Sequence, residues 1–147
     1  MSPIRMFLFL ISALCLAGCA SPTVVSGPEE AIQLAATRSD GAYVQVVMTV
    51  QSAGTGKDTE AGIVFLNSEP DYRNLKSLNV ALWPDVVKKL ITDRKIDPIQ
   101  GFLHHTIRVT GVAKRVQIAV VDGPYAGNFY YQTHLEVHSP DNIQVVE

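Results

Sequence analysis

The clearest pattern in the chain is the alternation of side chains over residues 43–50. Successive side chains of a β-strand point to opposite faces, so such a pattern predicts a half-buried strand. The positions expected on the buried face are Val44, Val46, Met48 and Val50. Tyr43 begins the opposite set, which is expected to face outward.

Further short runs rich in β-branched and aromatic residues also predict strands. They are residues 61–67, 77–83, 106–113, 133–137 and 143–146, with residues 116–121 continuing or pairing with the third of them. Two segments rich in turn-forming residues, 52–58 and 122–131, predict connections between strands.

Two segments predict helices. Pro28 followed by two glutamates is typical of a helix start, and Gly41 follows the end of this short N-terminal helix. Asp85 is predicted to cap the second helix. The apolar stripe of that helix is Val86, Val87, Leu90 and Ile91.

The order of these elements predicts the fold class. No long crossover helices are present, which disfavours a parallel sheet. Short strands outnumber helices, which favours a small barrel. A helix between the third and fourth predicted strands matches the order of the OB fold. We therefore expect a mainly β protein, a small OB-like Greek-key β-barrel with that helix and a short N-terminal helix.

The N-terminus has the parts of a secretory leader. Arg5 supplies a positive charge, and residues 6–16 form an apolar run shorter than the roughly 20 residues that cross a bilayer. Residues 16–19, Leu-Ala-Gly-Cys, resemble the bacterial lipobox. The resemblance implies cleavage before Cys19, a diacylglycerol on its sulfur and an acylated N-terminus. An ordinary cleaved leader with an incidental cysteine is the alternative.

This leader determines the expected domain organisation and location. Residues 1–18 are the signal peptide, 19–28 a lipid-anchored tether and 29–147 the barrel domain. Cys15 leaves with the leader, so no disulfide or cysteine metal site is expected. Acyl chains contribute about 0.8 kcal/mol per methylene to membrane binding. Ala20 stands where inner-membrane retention signals carry Asp, which implies the outer membrane of the cell envelope, facing the periplasm.

Residues 65–73, Phe-Leu-Asn-Ser-Glu-Pro-Asp-Tyr-Arg, and the following Leu-Asn-Val at 78–80 form a recognisable motif with residues 107–112 and 140–145. Together they resemble segments of small bacterial OB-fold, nucleic-acid-binding-like domains of mostly unassigned function. The resemblance spans most of residues 43–146 and implies the OB fold. It implies no catalytic residues, because these domains share no catalytic set. Residues 122–131 depart from the short connection usual in that family.

The net charge limits one function class. A protein that holds nucleic acid through its phosphates needs a basic surface, whereas this chain has a formal net charge of −2. Bulk charge therefore counts against non-specific nucleic-acid binding. The family resemblance keeps oligonucleotide binding as an alternative.

Two groups of residues are candidates for ligand binding. The aromatic residues of the second connection are Tyr125, Phe129, Tyr130 and Tyr131. An OB fold often contacts its ligand through the loop at this place, where rings stack on bases or sugars. The alternative is that they bury area at the barrel end. Tyr72 and Arg73, next to Asp71, form either a ligand contact or a turn held by an Asp–Arg or Tyr hydroxyl contact.

His134, Glu136 and His138 alternate on one face of a predicted strand, where two explanations compete. Such side chains can converge on a metal, but a polar outer face gives the same spacing. No fourth ligand is evident, so we expect no metal and no other cofactor.

Catalytic motifs are missing from the sequence, which has neither a serine nucleophile elbow nor a Walker loop. We therefore expect a non-catalytic, membrane-anchored lipoprotein that binds a protein or an envelope component. An oligonucleotide-binding protein and a small metal-dependent enzyme are the alternatives.

Overall fold

A computed structural model of the chain describes residues 20–56 and 62–147. Within these residues the protein is mainly β, with eight strands in one mixed sheet and two α-helices. The lipobox and Cys19 lie outside the described residues, so the signal peptide and the lipid stay predictions. No helix in the described part is long and apolar enough to cross a membrane.

The elements follow one another closely along the chain. The strands are β1 (Thr23–Val24), β2 (Ala42–Thr49), β3 (Ser52–Thr55), β4 (Val64–Asn67), β5 (Leu78–Leu82), β6 (Thr106–Ala119), β7 (Phe129–Val137) and β8 (Ile143–Val145). The helices are α1 (Pro28–Thr37) and α2 (Pro84–Thr92). A 3-10 turn, Pro140–Asn142, joins β7 to β8.

The sheet is assembled on β6, which is 14 residues long. β2 pairs with its first half and β7 with its second half, both antiparallel. β8 also pairs with the first half of β6. Beyond β7 the sheet continues through β5 and β4 to β3, and beyond β2 it ends at β1. β5 and β7 are parallel neighbours, so β7 lies between β5 and β6.

The predicted alternation of β2 is confirmed. Val44, Val46 and Met48 are buried, whereas Tyr43 and Val47 are exposed. Residues of the other strands, of both helices and of the turns before β6 complete one core. Its largest fully buried side chains are Phe102, Leu66, Leu78, Leu82, Leu90, Ile107, Leu135 and Ile143.

β5 is buried on both of its faces, since all 5 of its residues are buried. One face contributes to the core. On the outer face, the side of the sheet away from the core, Asn79 is covered by the loop of residues 68–77. The Asn79 side-chain amide donates to the Tyr72 carbonyl at 3.1 Å, and the Ser77 hydroxyl donates to Asn79 Oδ1 at 2.6 Å. These bonds attach the loop to the sheet.

The predicted N-terminal helix is confirmed as α1, which begins at Pro28. Glu30 accepts hydrogen bonds at Oε2 from the backbone N–H and the hydroxyl of Ser26, at 2.7 and 2.9 Å. Ala31 and Ala35 are its buried positions. Just before it, β1 is paired with β2, so part of the predicted tether belongs to the sheet.

The predicted helix cap at Asp85 is wrong. Trp83 precedes α2, Pro84 opens it, and Asp85 lies within its first turn. The reason is that proline suits the first helical position, where its fixed φ is helical and its missing N–H leaves nothing unsatisfied. The buried stripe is also narrower than predicted, because Ile91 is half exposed.

Two finer parts of the fold prediction are not confirmed. The hydrogen-bonded path through the described strands is open from β1 to β3, so a closed barrel is not established. α2 follows the fifth strand rather than the third, because β1 and β3 add to the count. β3 falls within residues 52–58, which were expected to be a loop. Pairing with β4 supplies the backbone hydrogen bonds that override its weak strand propensity.

Candidate binding surface

The predicted connection over residues 122–131 is shorter in the structure, because three of its aromatic residues belong to a strand. Phe129, Tyr130 and Tyr131 are the first residues of β7 and pair with the end of β6. Aromatic residues are favoured in a strand whose neighbour offers cross-strand contacts. The loop is therefore residues 120–128, and it holds Tyr125, which is 70% exposed.

β7 places the predicted aromatic residues on two different faces. Tyr130 lies on the outer face with Gln132 and His134, whereas Phe129 and Tyr131 share the face of the buried strand positions. The four rings named from the sequence cannot form one surface.

The turn that contains Tyr72 and Arg73 has both of the contacts expected from the sequence. The Arg73 backbone N–H donates to Asp71 Oδ1 at 2.9 Å. Arg73 Nε donates to the Tyr72 hydroxyl at 3.2 Å, with the guanidinium carbon 5.2 Å from the Tyr72 ring centroid. An arginine held at a tyrosine in this way loses little further freedom when a ligand binds.

Tyr130 lies next to this turn, although it is far from it in the sequence. β5 begins at Leu78, opposite Thr133, so the first residues of β7 extend past β5. The loop of residues 68–77 lies there. Burial raises the pKa of the Tyr130 hydroxyl, as does the adjacent Tyr72, while the Arg73 guanidinium opposes them. Tyr72, Arg73 and Tyr130 thus form one group, called here the outer-face cluster.

A row of hydrogen bonds continues from the outer-face cluster along β7. The Gln132 side-chain amide donates to the Tyr130 hydroxyl at 3.1 Å, and Gln132 Oε1 lies 2.8 Å from His134 Nε2. The His134 ring packs against Phe65 of β4, with their centroids 5.1 Å apart. These contacts along β7 hold the Tyr130 side chain in position.

His134 is the titratable group that this row buries. Burial lowers the pKa of the imidazole, and the negative charge of Glu136 opposes that effect. The neutral ring is therefore the form that the fold favours. Protonation is easier in the unfolded chain, where the pKa is about 6.5.

We expect the free energy of unfolding to fall as the pH is lowered from about 7 to about 5. The folded-state pKa of His134 lies below the unfolded value, so the unfolded chain takes up the proton first as the pH passes 6.5. Urea unfolding at a series of pH values measures this slope. Carboxyl groups titrate mainly below this window.

Two substitutions of the same kind, one a test and one a matched control, decide whether His134 causes this slope. His134→Gln should flatten the dependence, whereas His105→Gln, at an exposed position, should leave it unchanged. An equal slope in the chain with His134→Gln would show that another group is responsible.

The remaining residues of this face are occupied with each other. Glu136 lies 3.2 Å from Lys114 Nζ and 3.7 Å from His138 Nε2. His138 also stacks on Trp83, with ring centroids 5.6 Å apart. Among the described residues, no group of three histidine, cysteine or acidic side chains is placed to hold a metal. The metal-dependent alternative gains no support.

On the other side of β7, the Tyr131 ring contacts both Phe129 and a cation. The Phe129 and Tyr131 rings are in edge contact, with centroids 5.6 Å apart. The Arg115 guanidinium lies 3.8 Å from the Tyr131 ring centroid. A cation over a tyrosine face is attracted by the ring quadrupole.

Three residues of these sites were not predicted. Phe65, Gln132 and Arg115 each lie next to a predicted residue, but in the sequence they are ordinary strand positions. The alternation along β7 would have indicated Gln132 if the strand had been started at Phe129. Phe65 and Arg115 require the pairing of distant strands.

Comparison of the sequence with protein-family models and with curated proteins gives no match. The candidate surface is therefore judged by its geometry.

Proposed function

We propose that this protein is a lipid-anchored, non-catalytic binding module of the bacterial cell envelope, and that its ligand is a protein or a polymeric envelope component. The observation that carries the proposal is the outer-face cluster. It joins Tyr72 and Arg73 to Tyr130 from a segment nearly 60 residues away.

The cluster has the chemistry of a binding centre. Tyr72 and Arg73 are exposed, whereas the Tyr130 hydroxyl accepts a hydrogen bond from the Gln132 side chain. Tyrosine and arginine are enriched among the residues that dominate binding energy. A guanidinium positioned before the ligand arrives costs little entropy on binding.

We further propose that the strands form an OB-like barrel. β5 and β7 are parallel, and β2 is separated from β3 by Val50 and Gln51 alone. The Val50 N–H donates to the His105 carbonyl beside β6, and the Gln51 N–H donates to the Asn67 carbonyl of β4. One continuous stretch of chain therefore links the two sides of the sheet. OB folds bind ligands on a strand face and in adjoining loops, and Tyr130 of the outer-face cluster directly follows one such loop, the connection from β6 to β7.

The anchor in this proposal is Cys19. It rests on the lipobox resemblance of residues 16–19 and on the apolar run before it. The outer membrane is the proposed location, by the residue that follows the cysteine. A ligand of such a domain is a molecule of the envelope.

We expect a photo-crosslinking residue at position 72 to give an adduct of one defined mass in intact cells, while the same residue at Tyr43, also exposed, gives none. Arg73→Gln should lower the adduct yield at position 72 about tenfold, because an arginine at a binding centre contributes about 1.4 kcal/mol or more. Mass analysis of adducts from the purified full chain measures the yield, and the same spectra report whether Cys19 is acylated.

The matched control is Arg38→Gln, which removes an exposed arginine outside the outer-face cluster and should leave the yield unchanged. Equal adducts at positions 72 and 43, or an unchanged yield with Arg73→Gln, would contradict the proposed surface. An unmodified Cys19 would overturn the anchor but not the surface.

An oligonucleotide is the second candidate ligand. The parallel β5–β7 pair and the aromatic residues on the outer face favour it, and the net charge of −2 opposes it. Nucleotide mass in the adduct, with a yield that falls steeply as salt rises, would select this candidate.

A further inference from the structure

A half-open groove lies on the opposite side of β7 from the outer-face cluster. Its volume is about 290 Å³. The groove is lined by Ile32, Ala36, Leu75, Arg115, Tyr131, Gln132 and Thr133. It therefore joins α1, the loop of residues 68–77 and the β6–β7 pair.

Arg115 is the charged residue of this lining. Across the described ranges, 20–56 and 62–147, no carboxylate lies within 4.0 Å of its guanidinium. Its partner is instead the Tyr131 ring, 3.8 Å from the guanidinium carbon. A ring below the guanidinium plane fixes its position and leaves the N–H groups at its edge able to donate.

The other walls are mostly apolar. Ile32 and Ala36 come from α1, and Leu75 from the loop, where it is 71% exposed. Thr133 is a buried residue of the lining. An aliphatic wall beside one cation and a few neutral polar side chains matches a ligand that has an apolar group and an anionic end.

We propose that this groove binds a small organic carboxylate that carries one apolar group. The carboxylate would accept hydrogen bonds from Arg115, in the two-point geometry that guanidinium and carboxylate share. The apolar group would lie against Ile32 and Leu75. One cation in the lining matches one negative charge, and the volume is close to the lower limit for small-molecule sites, about 300 Å³.

The groove adjoins the outer-face cluster, because Leu75 belongs to the same loop as Arg73 and Gln132 also holds the Tyr130 hydroxyl. The contacts proposed for the two ligands are different, since Arg115 and Tyr131 lie on the other side of β7 from Tyr130. Failure of one proposal therefore does not decide the other.

The test uses 3-phenylpropanoate as the probe, with the full chain in a neutral detergent and isothermal titration calorimetry. We expect saturable binding of one probe per chain. Arg115→Gln should weaken it about tenfold or more, because the charge-assisted hydrogen bonds to the carboxylate are lost. The uncharged 3-phenylpropanamide should bind the unaltered chain about tenfold more weakly than the carboxylate.

Arg108→Gln is the matched control, because Arg108 lies on the same strand outside the groove lining. It should leave probe binding within about twofold. The proposal is overturned by the absence of saturable binding to the unaltered chain, by equal binding with Arg115→Gln, or by equal binding of the amide. The amide comparison needs no variant and so does not depend on how a variant folds.

Discussion

Replacing Phe102 with alanine is expected to lower the free energy of unfolding by about 3–5 kcal/mol. Phe102 is 1% exposed and lies in the turns between α2 and β6, where its ring belongs to the core. Hydrogen bonds of these turns, including those that Asp97 Oδ1 accepts from Ile99 and Gln100, hold the backbone in position. The segment cannot easily collapse into the cavity, which is why the loss is expected to be large.

Phe129→Ala is the matched control, since it removes the same side chain from a position that is 55% exposed. It should change stability by no more than about 1 kcal/mol. Urea unfolding monitored by circular dichroism compares the two. A loss for Phe102→Ala as small as the loss expected for Phe129→Ala would mean that Phe102 is not part of the core.

Replacing Gly111 with alanine is expected to destabilise the protein by about 3 kcal/mol, the upper end of the usual cost of overpacking. A Cβ at this position would lie 2.2 Å from the carbonyl oxygen of Glu136 on β7. That atom belongs to a backbone held in the middle of the sheet, so it cannot rotate away as a side chain would. The β6–β7 pair would have to separate locally, at the point where β6 passes from β2 to β7.

Gly54→Ala provides the comparison for this effect. It makes the same change within β3, where the added methyl group would meet no atom within 4 Å. Its effect should stay within about 1 kcal/mol and can be stabilising, because alanine restricts the unfolded chain. Thermal unfolding of both variants checks the difference. A stable protein with Gly111→Ala would show that the two strands are less closely packed than described.

Local sequence patterns predicted the parts of the fold that depend on local physics. β2 follows from its own alternation, and α1 follows from Pro28 and the glutamates after it. Both signals come from residues close together in the sequence, and the fold keeps the element that each signal predicts. The mainly β class follows from the number of short strands.

Elements that depend on a partner were missed. Ser52–Thr55 becomes a strand because β4 lies beside it, and the first residues of β7 become a strand because β6 does. Residues 52–55 have weak strand propensity of their own, and the strand propensity of residues 129–131 is obscured by the turn-forming residues just before them. Phe102 was missed because it lies in turns and is buried by distant residues.

The candidate surface shows the same division. The sequence indicated Tyr72, Arg73 and Tyr130 as residue types suited to binding, but not that they lie together. Their contact depends on the parallel pairing of β5 with β7, which places Thr133 opposite Leu78. A one-residue slip in the register of β7 against its neighbours would turn Tyr130 to the other face.

The pairing of β1 with β2 ties the chain to the sheet only a few residues after Cys19. Thr23 is already fixed to the sheet, opposite Val44. Four peptide units separate it from Cys19, and an extended chain spans at most about 3.6 Å per residue, or about 14 Å here. If Cys19 carries the proposed lipid, the sheet stays close to the bilayer and has few orientations available. A ligand of this protein would then have to reach it within a layer that is thin compared with the periplasm.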